Sequence, residues 1–179
     1  MLTLVRRYLR AFGPATVADV SQFTLLRRPI ITAALDSAYD VVPRTVGGIE
    51  MLDVIDGSID DEPAATARLL PMWDNLLLAY ADRSRVVADA HRPHVIRRNG
   101  DVLASVLVDG RIVGVWRRVD DGIEICPFET IPAERWEALA KEARDLCGFL
   151  DTRETDPYTR YHHWWERLPE ADRRTIVVE

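Results

Sequence analysis

Leu2, Val5, Leu9 and Phe12 recur at three- and four-residue steps while Arg6, Arg7 and Arg10 take the other faces, which predicts an amphipathic helix over 2–12. Gly13-Pro14 ends it. Thr16, with Asp19 three residues on as an acidic form of the capping box, predicts a short helix over 17–23. A third helix is expected to start near Pro29, a favourable first-turn residue, turn Ile30, Ile31, Ala34 and Leu35 inward, and end near Ala38. The pattern then becomes strand-like over 40–46 and 49–54, joined by Gly47-Gly48, which supplies the positive φ of a tight hairpin. Three helices and a hairpin are the order of a winged helix, with helices two and three as a helix-turn-helix and the hairpin as the wing. Modules of that order bind DNA in some proteins and other proteins elsewhere.

Asp56 to Ala65 is polar and turn-rich and reads as a linker. Beyond it, apolar runs at 102–108, 111–119 and 123–128, separated by Asp109-Gly110 and by Asp120-Asp-Gly122, predict a three-stranded antiparallel meander. Trp136, Leu139, Ala140, Ala143, Leu146 and Cys147 share one face of a covering helix over 132–150, expected to end at Gly148. Trp73, Trp116 and Trp136 are expected in the core. Tyr158, Tyr161, His162, His163, Trp164 and Trp165 form an aromatic cluster in a charged tail, expected to dock back on the domain. The reading is an α+β chain: a winged helix over 1–58, a small β-rich domain over 64–150 and a C-terminal extension over 151–179.

The 179 residues suffice for one large domain or two small ones, and 47% hydrophobic with 29% charged residues excludes collagenous, disordered and disulfide-framework classes. Cys126 and Cys147 read as small buried residues in a reducing compartment. With no apolar run of spanning length and no signal-like N-terminus, a soluble, cytoplasmic protein without a membrane partner is expected. The net charge of −6 argues against nucleic acid only as an average. Residues 1–63 hold 6 basic and 9 acidic side chains, residues 64–118 hold 9 and 5, and residues 119–179 hold 8 and 15. The middle third is a basic island between acidic flanks.

That island contains an ordered set of motifs: Leu70-Pro-x-x-Asp74-x-Leu-Leu-Leu78, Asp82-Arg-Ser84, His91-Arg92, Asn99-Gly100 and Val108-Asp-Gly-Arg-x-x-Gly114-x-Trp116. Together they resemble the C-terminal half of the tandem winged-helix DNA-binding family that includes the AlkZ and YcaQ DNA glycosylases. The opening Leu4-Val-Arg-Arg-Tyr-Leu-Arg-Ala-Phe-Gly-Pro-Ala-Thr16 resembles the start of that family's last winged helix, so the likeness covers roughly residues 2–150. It implies a winged-helix platform joined to a small β-barrel-like domain, both lining a cleft for duplex DNA. It also implies excision of alkylated bases or unhooking of crosslinks through a Gln-x-Gln or Gln-x-Asp pair in an N-terminal half. The only glutamine is Gln22, followed by Phe23-Thr24, so that pair is not in these residues. No catalytic residue is assigned, and a separately encoded partner carrying the N-terminal glycosylase half would complete an enzyme.

Within the island Arg83, Ser84, Arg85, His91, Arg92, Arg97 and Arg98 are candidate phosphate contacts, as are Arg27 and Arg28 ahead of the third helix and Arg44 near the wing. The alternative for each is solvated charge in local ion pairs. Asp74, Asp82 and Asp89 are the carboxylates at hand for glycosidic chemistry, but Asp74 and Asp82 flank an apolar helical run, where capping and pairing with Arg83 or Arg85 are the ordinary uses. His91-x-x-His94 and His162-His163 lack convergent cysteine ligands, so no metal and no cofactor is expected.

Overall fold

The computed structural model describes residues 1–56, 67–153 and 157–178. The expected linker at 56–65 lies almost wholly outside them. The chain divides into two compact units, Met1–Glu62 with Asn75–Arg83, and Pro63–Asp74 with Ser84–Glu179.

In the first unit α1 (Leu2–Phe12), α2 (Val17–Thr24) and α3 (Arg28–Leu35) precede an antiparallel hairpin of β1 (Val41–Val46) and β2 (Ile49–Val54). The capping box at α2 is complete: Thr16 Oγ1 accepts from the Asp19 amide, and the Asp19 carboxylate accepts from the Thr16 amide. Asp19 does more than cap, because its buried carboxylate also accepts from the Ala81 amide at 2.8 Å, tying the 75–83 segment to α2. That segment carries α4 (Asn75–Leu78), and the Tyr8 hydroxyl donates to the Ala79 carbonyl at 2.7 Å. Val5, Leu9, Val20, Ile31 and Val54 form the core, beside mutual ring contacts of Tyr8, Phe12 and Phe23. Gly47 and Gly48, at φ 58 and 80, make the hairpin turn as expected. The third helix stops at Leu35, short of Ala38.

The second unit is an open five-stranded antiparallel sheet in the order β3 (Ala67–Leu70), β4 (Ser105–Val108), β5 (Arg111–Val119), β6 (Gly122–Pro127) and β7 (Arg174–Val177). Between β3 and β4 lies the single-turn α5 (Arg92–Val95). The meander is there, but it gains an edge strand on each side, and among the described residues β3 and β7 do not pair, so the barrel-like expectation becomes an open sheet. β7 comes from the polar tail, where only Ile176 points into the core, too weak an alternation to read as a strand. Gly122 explains its close approach: at φ 148, any Cβ there would collide with the Ile176 carbonyl.

The covering helix α6 (Ala133–Asp151) runs through Gly148 instead of ending there. Leu139, Ala143, Cys147 and Leu150 are its buried stripe, and burial of Leu150 carries the helix past the glycine, whose intrinsic penalty of about 1 kcal/mol is smaller than that of exposing a leucine. Trp116 is buried at 3% exposure and donates its indole N–H to the Leu70 carbonyl at 2.8 Å. Trp73 departs from expectation. At φ 54 it is held in the left-handed region and is 37% exposed. The aromatic tail does dock back: a 3₁₀ helix (Thr159–Arg167) buries Trp165 in the second unit.

Candidate nucleic-acid interface

Within the second unit the basic stretch is shaped by α5 and the turn after it. Pro93 favours the first turn of α5, and an isolated Ile96–Val102 bridge closes the loop behind it. The Arg97 amide donates to the Asp101 carbonyl and the Gly100 amide to the Arg97 carbonyl, with Gly100 at φ 91 completing a tight turn. Two consecutive arginines therefore meet different surroundings. Arg98 is exposed. Arg97 is half-buried, its guanidinium 4.9 Å from the centre of the Trp164 ring, with Nη1 donating to the Pro93 carbonyl and Nη2 to that of Trp164. Burial, then the neighbouring Arg167, pull the Arg97 pKa down, against the opposite pull of Asp101. Trp164 is fixed by its own indole N–H, 2.9 Å from Asp101 Oδ2, and carries Arg167 at 5.0 Å from its ring centre.

Ser84, Arg85 and Arg92 are exposed in the same unit. His91 and His94 lie against Phe128, with ring centres 5.2 and 5.6 Å away. Burial holds His94 below the usual histidine range, and the charges of Arg97 and His91 push the same way. The other four candidates belong to the first unit. Arg27 and Arg28 are exposed at the start of α3, after the left-handed Leu25 that turns the chain out of α2. Arg44 is opposite Met51 in the hairpin, three residues before the Gly47-Gly48 turn, and its Nε is 2.8 Å from the buried carboxylate of Asp53. Arg83 is half-buried and donates to the Leu77 carbonyl at 2.6 Å. The ten candidates are thus divided between two units; Arg44, Arg83 and Arg97 are engaged inside their own, and Ser84 and Arg85, though exposed, also have interaction partners.

Trp164, Arg167 and Trp73 were not among the candidates. Trp73 donates to the Gly100 carbonyl at 3.1 Å and meets Tyr161 edge-on at 5.2 Å, so the 97–101 turn is held by aromatic side chains from both directions along the chain. The signal available in the sequence was the aromatic cluster in the tail. Its target was not legible. Of the carboxylates, Asp74 and Asp82 are each held in an interaction and Asp89 is exposed. Among the described residues no group of three or more His, Cys, Asp or Glu side chains converges on a metal position. Both cysteines are free thiols, buried, with pKa raised by that burial.

The motif residues themselves prove largely architectural. Gly110 has φ 80 in the β4–β5 turn, Gly114 faces β6 where a Cβ would come 2.7 Å from the Cys126 carbonyl, and Trp116 braces β3. The result is a two-unit α+β chain with antiparallel sheets, in which Gly110, Gly114 and Trp116 serve turns and strand contacts.

A model of the family described as DNA glycosylase AlkZ-like matches residues 2–149, and the chain belongs to that family. It is 32% identical over 155 residues to an interstrand DNA cross-link repair glycosylase of Streptomyces sahachiroi, a match covering 81% of this chain and 41% of that protein. The solved structure of the Streptomyces sahachiroi DNA glycosylase AlkZ superposes with a TM-score of 0.69 at 27% identity, covering 82% of this chain and 42% of that one. The chain therefore spans about two fifths of the length of the relatives it matches. No helix among the described residues is long and apolar enough to cross a membrane.

Proposed function

We propose that this chain is a duplex-DNA-binding module of a repair glycosylase, corresponding to the C-terminal, non-catalytic half of the longer relatives. The observation that carries this is the pair of exposed arginines, Arg92 at the start of α5 and Arg98 in the turn after it, both within the residues the family model matches. In this reading residues 1–58 are a winged helix, with α2 and α3 as its helix-turn-helix and β1–β2 as its wing. Residues 64–150 are the β-rich domain and 151–179 its extension. Arg27, Arg28, Ser84, Arg85, His91, Arg92 and Arg98 contact phosphates, which strengthens binding and makes it salt-dependent without selecting sequence. Arg44, Arg83 and Arg97 hold the surface in shape. The ligand class follows the relative's name: duplex DNA carrying a lesion such as an interstrand crosslink.

An anisotropy titration of the full chain against labelled duplex, repeated from 50 to 200 mM salt, tests this. Affinity falling steeply with salt is expected. No affinity at the lowest salt would overturn it.

A second reading is that the module acts together with a polypeptide carrying the N-terminal glycosylase half, with the Gln-x-Gln or Gln-x-Asp pair that the family resemblance implies. A base-excision assay gives no product with this chain alone and product once that polypeptide is added.

A further inference from the structure

The docked 3₁₀ helix (Thr159–Arg167) lies beyond residues 2–149, so the family likeness assigns it no role. It belongs to the acidic last third of the chain, yet carries Arg160, His162, His163 and Arg167 against the single carboxylate of Glu166. Arg160, His163 and Arg167 are exposed.

Both arginines are fixed beside the 97–101 turn. Arg160 lies 4.7 Å from the centre of the Tyr161 ring, which meets Trp73, whose indole N–H donates to the Gly100 carbonyl. Arg167 lies over Trp164, whose indole N–H donates to Asp101. The same turn carries the exposed Arg98. Among the described residues none of Arg98, Arg160 and Arg167 is in an ion pair.

Stacking takes up the face of a guanidinium and leaves its N–H fork, which lies in the plane of the group, for an acceptor beyond the ring. Arg97 shares the Trp164 ring with Arg167 but spends Nη1 and Nη2 on the Pro93 and Trp164 carbonyls. Two like charges therefore meet at one ring. Asp101 is the carboxylate set against Arg97, and its Oδ2 already accepts from the Trp164 indole and from the Asn99 amide, each at 2.9 Å. Cationic groups held at fixed positions and short of carboxylates attract an anion, and the planar fork matches phosphate oxygens. Exposed guanidinium groups spread over a turn and a helix suit a ligand with several phosphates, which a nucleic-acid backbone supplies.

We propose that the docked 3₁₀ helix extends the DNA-binding face of the second unit, with Arg160 and Arg167 contacting backbone phosphates of the duplex alongside Arg98. The inference rests on the reading of this chain as a duplex-DNA-binding module. It adds a contact from residues that the family match does not include.

The probe is the labelled duplex, titrated by anisotropy into the full chain and its variants from 50 to 200 mM salt. The combined variant Arg160→Gln, Arg167→Gln should lower the slope of log affinity against log salt by about 1.8, two phosphates at about 0.9 each, and weaken binding at 50 mM by at least about tenfold. Arg160→Lys with Arg167→Lys keeps both charges and should hold the slope within about 0.3 of the parent. Arg153→Gln with Arg174→Gln removes two other exposed, ring-stacked guanidinium groups of the same unit and should also leave the slope within about 0.3. An unchanged slope in the first variant, with the parent still binding, would overturn this inference and leave the broader reading in place. Equal losses in the Arg160/Arg167 and Arg153/Arg174 glutamine variants would show attraction to bulk charge and overturn it too. So would a lysine variant as weak as the glutamine one, which would assign the two arginines to packing of the helix. A parent chain without affinity at 50 mM would remove the DNA-binding reading itself, and this inference with it.

Discussion

Arginine is put to different uses in the two units. In the first, Arg6, Arg10 and Arg44 face Asp40, Asp56 and Asp53 at 2.6, 3.6 and 2.8 Å, ordinary ion pairs between a guanidinium and a carboxylate. In the second, Arg68, Arg117, Arg118 and Arg135 make ion pairs of the same kind, and guanidinium groups also lie over rings: Arg97 and Arg167 over Trp164, Arg117 and Arg173 over Trp165, Arg160 over Tyr161 and Arg174 over Trp136. The 3₁₀ helix brings Trp164 to Arg97 and Trp165 to Arg117 and Arg173, and α6 brings Trp136 to Arg174, arginines that charge counting assigns to solvent. A guanidinium over a ring keeps its charge but gives up part of its hydration, so a basic count overstates how much cationic surface the second unit presents.

The largest test of that contrast is Trp165→Ala. Trp165 is 4% exposed, touched by two guanidinium groups, and its carbonyl accepts from Arg173 at 3.1 Å. Its truncation should cost about 3–5 kcal/mol in urea denaturation, as for other buried tryptophans. A loss below about 1 kcal/mol would mean that the tail decorates the sheet without supporting it. In the first unit Asp53→Ala removes the acceptor of the buried Val54 amide as well as the partner of Arg44, and a loss of about 2 kcal/mol is expected. Arg44→Gln should cost about 0.5 kcal/mol or less, because this arginine is more than a third exposed and water takes over much of its pairing.

Arg98 and Arg97 give the sharpest comparison between neighbours. Arg92→Ala and Arg98→Ala should each lower the slope of log affinity against log salt by about 0.9, one phosphate apiece, with thermal stability unchanged. Arg97→Ala should instead lower the melting temperature and leave that slope nearly as it was, since its guanidinium is occupied by Trp164. If Arg97→Ala changed the slope as much as Arg98→Ala, the assignment of Arg97 to the scaffold would fail.

The smallest effect concerns pH. The folded His94 pKa is lowered, chiefly by burial, so the unfolded chain takes up the proton first as pH falls. The corresponding stability is present above the ordinary histidine pKa of about 6.5 and is lost as pH falls through that value toward the folded pKa. His94→Gln should flatten the dependence of melting temperature on pH between about 7.5 and 5.5. An unaltered profile would place the titrating group elsewhere.

Most of the fold was written locally. The step of three and four in 2–12, Thr16 with Asp19, Gly47-Gly48 and Asp109-Gly110 each act within a few residues, through side-chain periodicity, a cap or a positive φ. Their helices and hairpins appear within a few residues of their expected bounds. β3 and β7 were not legible because they are short edge strands whose pairing depends on β4 and β6, far away in the chain. Gly148 misled for a related reason: its helix is continued by the burial of Leu150, a contact that no local rule contains.

The candidate site divides along the same line. Family membership lies in motif residues whose spacing is visible in the sequence, and those residues chiefly make turns and strand contacts. Which arginines remain exposed was decided by tertiary structure. Arg97 and Arg98 are identical in type and adjacent in sequence, yet one lies over Trp164, 67 residues on, and the other is exposed. The sequence by itself determined the elements, their turns and the local charge of each third, because these depend on neighbours a few residues apart. The tertiary structure alone decided that the sheet has five strands, that the tail belongs to it, and that the aromatic side chains hold some of the arginines. Those outcomes depend on which distant side chains share a surface, and periodicity carries no information about that.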